Sequence, residues 1–216
     1  MSARIRAILR LAGAGLIVAA VVTQFVYSTR YVATFSAANF FSFFTIESNL
    51  IAAVLLALSA VAAWRGSTAP SMALLRGAAA LYMTITGIVY SLLLSGLEDA
   101  LQTQVDWVNT VLHYVMPVVV LADFLLDRTV TPLRFDRAWL WLIYPVLYLI
   151  YSEVRGPAVG WYPYPFLDPR PHGVLPVIVT SAAIAVAAVL LAWLLAWTTR
   201  VGRRPVPVAQ PVEPVG

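Results

Sequence analysis

The sequence predicts an all-α membrane protein of six transmembrane helices with both termini in the cytoplasm. Three observations predict it. Of 216 residues, 61% are hydrophobic and only 11% charged, where a soluble domain carries roughly 45–50% and about 25%. Six apolar stretches approach or exceed the ~20 residues that cross ~30 Å of hydrocarbon. When those stretches are threaded alternately, eleven of the fourteen arginines fall on one side, as the positive-inside rule requires.

The stretches run in order. The first, Ala7 to Tyr27, follows Arg4, Arg6 and Arg10 but exceeds the 7–15 residues of a signal-peptide core, so it is expected to stay as a helix. The second is Phe40 to Trp64 and the third Ala73 to Ser95. The fourth is Trp107 to Leu126, the fifth Ala138 to Val154 and the sixth Val174 to Trp197. The cytoplasmic segments then hold Arg4, Arg6, Arg10, Arg65, Arg76, Arg128, Arg134, Arg137, Arg200, Arg203 and Arg204. The outer segments hold Arg30, Arg155 and Arg170 with Glu98, Asp99, Asp106 and Asp168. Residues 1–202 form one transmembrane domain. The Pro- and Val-rich tail, 203–216, is expected to be disordered.

Composition excludes several functions. There is no cysteine, so disulfides, thiolate metal sites and cysteine nucleophiles are out. The net charge of +4 does not imply nucleic acid, because the arginines are placed to face anionic headgroups. Every basic residue is arginine; with the Ala, Val, Leu and Pro bias, this points to a GC-rich bacterial genome and an inner-membrane location. The outer loop GPAVGWYPYPFLDPRPHG, residues 156–173, has five prolines that oppose a regular helix. Trp161, Tyr162 and Tyr164 favour the headgroup level. The loop reads as a stiff cap across the outer face.

Polar groups inside hydrocarbon are functional candidates by default. In the second stretch, NFFSFFTIESNL, Ser42, Thr45 and Asn49 share a helix face and Glu47 lies on another. In the fourth, DWVNTVLHYVMP, Asn109 and His113 stack at i, i+4, and Pro117 opens the helix one turn later. Thr45 lies ~8 Å and His113 ~9 Å below the outer ends of their spans, at ~1.5 Å per residue. The third stretch brings Tyr90 and Ser91 to that layer, and the fifth brings Tyr148, Tyr151 and Glu153. A threonine hydroxyl beside an imidazole that takes its proton is the arrangement for nucleophilic attack on a carbonyl. Thr45 is the candidate nucleophile and His113 the general base. Asn49, Asn109 and Ser91 are candidates for orienting the imidazole or stabilising an oxyanion; Glu47 and Glu153 are candidates for holding substrate. No cofactor or metal is expected, since one buried histidine cannot make a zinc site.

Other readings use the same residues. Glu47 and His113 could titrate in a binding or transport protein, although inverted repeats and broken midplane helices are not evident. Thr45 could be helix glue in a purely structural protein, with Gly13 and Gly15, or Gly77 and Ala80, packing helices. Asp123 is expected to meet headgroup arginines, and Glu47 to pair with an arginine or stay protonated.

The motifs NFFSFFTIESN, RGAAALYMTITGIVY, WVNTVLHYVMPVVVLADFLL and YPVLYLIYSEVRGPAVGWYPYPFLDP resemble the bacterial Pr-six-Pr family of six-helix membrane proteins, from roughly Leu11 to Trp197. More distantly, the chain is similar to the androgen-induced and androgen-dependent membrane hydrolases of fatty acid esters of hydroxy fatty acids. That resemblance implies a membrane-embedded Thr nucleophile in the second helix and a His in the fourth, which Thr45 and His113 match. The expected partners are membrane lipids and a lipid-like ester. The oligomeric state is left open.

Overall fold

The computed structural model of the chain describes residues 2–66, 70–98, 101, 104–127 and 132–201. Asp99, Arg128, Arg203, Arg204 and the expected 203–216 tail lie outside the described residues. Within them the protein is all-helical: α1 (Ala3–Tyr31), α2 (Ala37–Phe40), α3 (Phe44–Trp64), α4 (Pro70–Val89), α5 (Asp106–Thr110), α6 (Met116–Leu126), α7 (Phe135–Ala138), α8 (Ile143–Val159) and α9 (Val174–Thr198). One π-helical turn, Tyr90–Leu94, extends α4, and a second, Val111–Val115, joins α5 to α6.

Five helical runs are long and apolar enough to cross a membrane: Ala3–Tyr31, Phe44–Trp64, Ser71–Leu94, Asp106–Leu126 and Val174–Thr198. The expected fifth stretch differs. Its first turn is a 3₁₀ segment, Trp139–Leu142, and α8 proper has only 17 residues, about 26 Å at 1.5 Å per residue. The helix also runs past Val154 to Val159, with Pro157 inside it. The end comes at Gly160 rather than at the proline: Gly160 is in the left-handed conformation (φ 68°), which glycine adopts without steric cost.

Polarity is distributed inside-out. Arg10, Gln24, Ser28, Ser48, Asn49, Ser59, Arg76 and His113 are buried, while Leu92, Val118, Leu126, Leu175, Val186 and Leu190 are exposed. An apolar exterior around polar interior groups fits hydrocarbon as the surrounding solvent. Small residues let the backbones approach closely. α1 buries Ala7, Gly13, Ala14 and Ala20, α3 buries Ala52, Ala53 and Ala60, and these two helices share the most extensive contact in the bundle.

The bundle has two polar ends. At the first, Arg10 of α1 bonds Asp123 at 2.8 Å and Asp127 at 2.6 Å, and Arg76 of α4 bonds both at 2.8 Å. Asp123 therefore pairs with arginines inside the bundle rather than with headgroup-facing ones. Arg10 and Arg76, expected at the lipid headgroups, are 5% and 7% exposed and are neutralised within the fold. A charged pair buried this deeply needs a near-ideal partner geometry, and the square of two arginines and two aspartates supplies it. The second polar end holds Thr45 and His113.

Candidate functional site

The site begins with a break in a helix. The expected continuous second span is interrupted: α2 ends at Phe40, residues 41–43 turn, and α3 restarts at Phe44 after an extended Phe43 (φ −77°, ψ 128°). No side chain of the N-cap residue closes this start. The first amides of any helix lack intrahelical acceptors and must find others. Here two tyrosines reach in from elsewhere. The Phe44 N–H donates to Tyr148 Oη and the Thr45 N–H to Tyr164 Oη, both at 3.2 Å. Tyr148 passes its own proton to the Ser42 carbonyl at 2.9 Å. Ser42 thus lies in the break, not on a face shared with Thr45 and Asn49; its hydroxyl bonds the Ala38 carbonyl and Tyr151.

Thr45 occupies the first turn of α3, where the helix dipole favours negative charge. Its Oγ1 is 3.2 Å from His113 Nε2. His113 Nδ1 is 3.1 Å from the Asn109 carbonyl oxygen. A carbonyl can only accept, so Nδ1 carries the proton and Nε2 presents its lone pair to the Thr45 hydroxyl. Both side chains are buried, at 7% and 4% exposure. Asn109 orients the imidazole through its backbone, a role expected of its side chain. The side-chain amide instead donates to Tyr90 Oη at 2.6 Å. The Tyr90 ring stacks on the imidazole with centroids 3.8 Å apart and 20° between planes. Tyr90 in turn donates to Glu98 at 3.1 Å. Glu98 lies beyond the helix, and the Gly96 amide holds its carboxyl below the usual range.

The π turn at Val111–Val115 serves this site. A π turn inserts one extra residue and leaves carbonyls off the helical ladder. The Met116 N–H reaches back to the Val111 carbonyl, and Pro117 has no N–H. The Leu112 carbonyl thereby loses both helical donors that could serve it. Asn49 of α3 donates to that carbonyl at 3.2 Å and to the Thr45 carbonyl at 2.9 Å. Asn49 is fully buried and its two donors are committed, so it clamps the Thr45-bearing turn to the His113-bearing one and has no proton left for a ligand. Gly87 makes the approach possible from the third side: a Cβ there would press on Pro117 and the His113 carbonyl.

The other expected residues fall elsewhere. Ser91 is exposed and bonds back to the Gly87 carbonyl at 2.7 Å, so it faces away from Thr45. Glu47 accepts from Tyr144 at 2.7 Å rather than pairing with an arginine. Glu153 is half-buried, one carboxyl oxygen lacking a hydrogen-bond partner among the described residues. Neither glutamate lines the two cavities that touch Thr45.

Those cavities differ in kind. One, of about 160 Å³, is apolar, walled by Phe44, Thr45, Leu149, Tyr164, Phe166 and Ala188. Val146 and Ala185 also line it and are exposed on the flank of the bundle, so it opens sideways between α8 and α9. The other, of about 30 Å³, touches Gln24, Thr45, Asn109, His113 and Tyr164 and has room for one or two waters. Thr45 and Tyr164 form the partition between them.

Tyr164 corrects the sequence-based expectation most sharply: expected at the headgroups, it is only 6% exposed. Its position between Pro163 and Pro165 is the available signal. A residue before proline is held extended, and Tyr164 is (φ −136°, ψ 143°). Phe43 packs edge-on against Trp161 and Tyr164, and Tyr164 stacks on Phe166. The loop does cover this end of the bundle, pinned by Tyr162 against Gly156 and by the Asp168–Arg170 pair at 2.6 Å.

Among the described residues, no three His, Cys, Asp or Glu side chains converge as metal ligands. No protein-family model, curated protein or solved structure gives a significant match to this chain.

Proposed function

We propose that the protein is an intramembrane hydrolase of lipid-like esters, with Thr45 as nucleophile and His113 as general base. One observation carries this reading: the 3.2 Å contact of Thr45 Oγ1 with an imidazole whose other nitrogen is committed to a carbonyl. Nucleophile, base and orienting group are within hydrogen-bond reach. The apolar chamber at about 160 Å³ is close to the ~150 Å³ that accommodates a benzene-sized group, so it takes roughly six carbons of an acyl chain. Its sideways opening suits a substrate already dissolved in lipid. The distant resemblance to the ester hydrolases accords with this assignment.

The transport reading has less support. It needs Glu47 and His113 to act together, whereas His113 borders the small cavity beside Thr45 and Glu47 does not.

A fluorophosphonate probe tests the chemistry. Purified wild type in detergent takes the label at Thr45, and Thr45→Ala takes none. Equal labelling of the two sinks the assignment.

The membrane arrangement belongs to the same proposal: six spans, α7–α8 with its 3₁₀ turn being the fifth, both termini in the cytoplasm of a plasma membrane. The arginine bias supports it. The cysteine-free chain is suited to single-cysteine mapping. An impermeant maleimide applied outside whole cells labels Ser95→Cys and spares Ser2→Cys; the reverse pattern inverts the topology.

A further inference from the structure

We infer that Tyr164 is the oxyanion donor of this site: its phenol hydroxyl stabilises the charge that develops on the substrate carbonyl oxygen during attack by Thr45. The inference rests on the hydrolase reading above.

Three features point to it. First, a Thr–His pair alone leaves the developing oxyanion without a partner, and in buried sites that partner supplies the largest single share of rate. The expected donors do not serve. Both Asn49 donors are engaged with carbonyls, the Asn109 amide is on Tyr90, and Ser91 faces away. Second, the Tyr164 hydroxyl lies 3.2 Å from the backbone nitrogen of the nucleophilic residue itself. It accepts that N–H, and its other hydrogen-bonding neighbours are the side-chain hydroxyls of Thr45 and Tyr148. The neighbouring Tyr148 is placed almost identically on the Phe44 N–H but has given its proton to the Ser42 carbonyl. A hydroxyl proton beside another hydroxyl can swing to a stronger acceptor; one fixed on a buried carbonyl cannot leave without stranding it. Third, Tyr164 borders both the acyl-sized chamber and the small cavity with His113. A carbonyl group whose carbon meets Thr45 Oγ1 has its oxygen next to this hydroxyl. Burial pushes the phenol up to about 12, so it keeps its proton at neutral pH. The start of α3 adds its dipole in the same direction.

Thr45 Oγ1 bonds to the carbonyl carbon while its proton passes to His113 Nε2. The carbonyl π pair moves onto oxygen, where the Tyr164 O–H donates. Collapse restores C=O and expels the alkoxide, which takes the proton from His113 and leaves as an alcohol. Water then attacks the acyl-Thr45 ester and gives a proton to His113. The second collapse releases the carboxylic acid and reprotonates Thr45. Tyr164 donates a hydrogen bond to both tetrahedral intermediates and never loses its proton.

The test uses full-length protein in micelles with a fluorogenic hexanoate ester. Tyr164→Phe is expected to lower kcat about 100-fold, as loss of one oxyanion donor does, with KM little changed. A residue that merely capped α3 would leave kcat per folded molecule intact. Should the Phe variant fail to fold, 3-fluorotyrosine at position 164 decides the matter. It preserves the shape with a more acidic phenol, and kcat then shifts while the melting temperature does not. Wild-type kcat in Tyr164→Phe, or indifference of kcat to fluorination, overturns the proposal. The two readings fail separately. If Thr45→Ala labels like wild type, the hydrolase assignment falls; if it does not label while Tyr164→Phe turns over normally, only the role of Tyr164 falls.

Discussion

At one end of the bundle, Arg10, Arg76, Asp123 and Asp127 turn four charges on one another; at the other, Thr45 and His113 turn uncharged groups toward a cavity. Both clusters are buried, and between them they tie α1, α3, α4 and α6 to their neighbours. In the charged square each guanidinium meets both carboxylates within 2.6–2.8 Å. Most of the square's polar atoms are spent on one another, although Arg76 Nε has no hydrogen-bond partner among the described residues and Arg10, Asp123 and Asp127 border a cavity of about 840 Å³. In the neutral cluster the framework bonds are equally well made, on Asn49, the Asn109 carbonyl and Tyr148. The Thr45 hydroxyl and the imidazole lone pair facing it stand outside that framework, as do the Asn49 and Asn109 side-chain oxygens, which have no hydrogen-bond partner among the described residues. On the proposed reading, the difference separates a polar cluster that holds the fold from one that carries chemistry. The relevant measure is which protons and lone pairs the backbone leaves uncommitted, rather than how polar or buried the cluster is.

Paired substitutions break this comparison most sharply. Asp127→Ala leaves two guanidinium groups short of a partner in a buried site and is expected to cost about 3–5 kcal/mol of stability. Thermal unfolding in detergent, followed by tryptophan fluorescence, measures it. The phosphonate label on Thr45 should survive below the lowered melting point. Thr45→Ala reverses the pattern: labelling is lost, and stability stays within about 1 kcal/mol, the worth of one ordinary hydrogen bond. If Asp127→Ala abolished labelling in protein that remained folded, the two clusters would be one functional unit and the contrast would be void.

Asn49→Ala should fall between them. It strands the Leu112 carbonyl, which the π turn and Pro117 have already removed from the helical ladder. An unsatisfied buried acceptor costs about 1–3 kcal/mol. The label should slow without vanishing, because the clamp is lost but the nucleophile and base are not. Complete loss of labelling at unchanged stability would instead place Asn49 among the groups that touch the substrate.

Much of this is legible in the chain, for identifiable reasons. Apolar runs longer than 18 residues leave little choice of structure, so Asp106–Leu126 and Val174–Thr198 appear close to their expected bounds. Depth along a helix comes from counting residues, and that count alone puts Thr45 and His113 in one layer. The errors share a cause too. A continuous α-helix through residues 40–64 would put Ser42 in phase with Thr45, but the turn at 41–43 resets that phase. Depth alone brings Ser91 to the site, whereas one residue beyond Tyr90 is about a quarter-turn around the helix, and its hydroxyl bonds back to the Gly87 carbonyl. Asp123 looks destined for headgroups in the sequence because its partners, Arg10 and Arg76, lie 113 and 47 residues away.

By itself, the sequence determined the solvent of this protein and the layer of its polar groups. Hydrophobicity and helical rise are local, additive quantities, and no partner is needed to evaluate them. Tertiary structure decided which of those polar groups meet. That depends on helix rotation, which two π turns and one break alter by fractions of a turn, and on a loop whose Tyr164 comes 119 residues along the chain to reach Thr45. Hydrogen bonds are short and directional. A single residue of phase separates a hydroxyl that faces an imidazole from one that faces lipid.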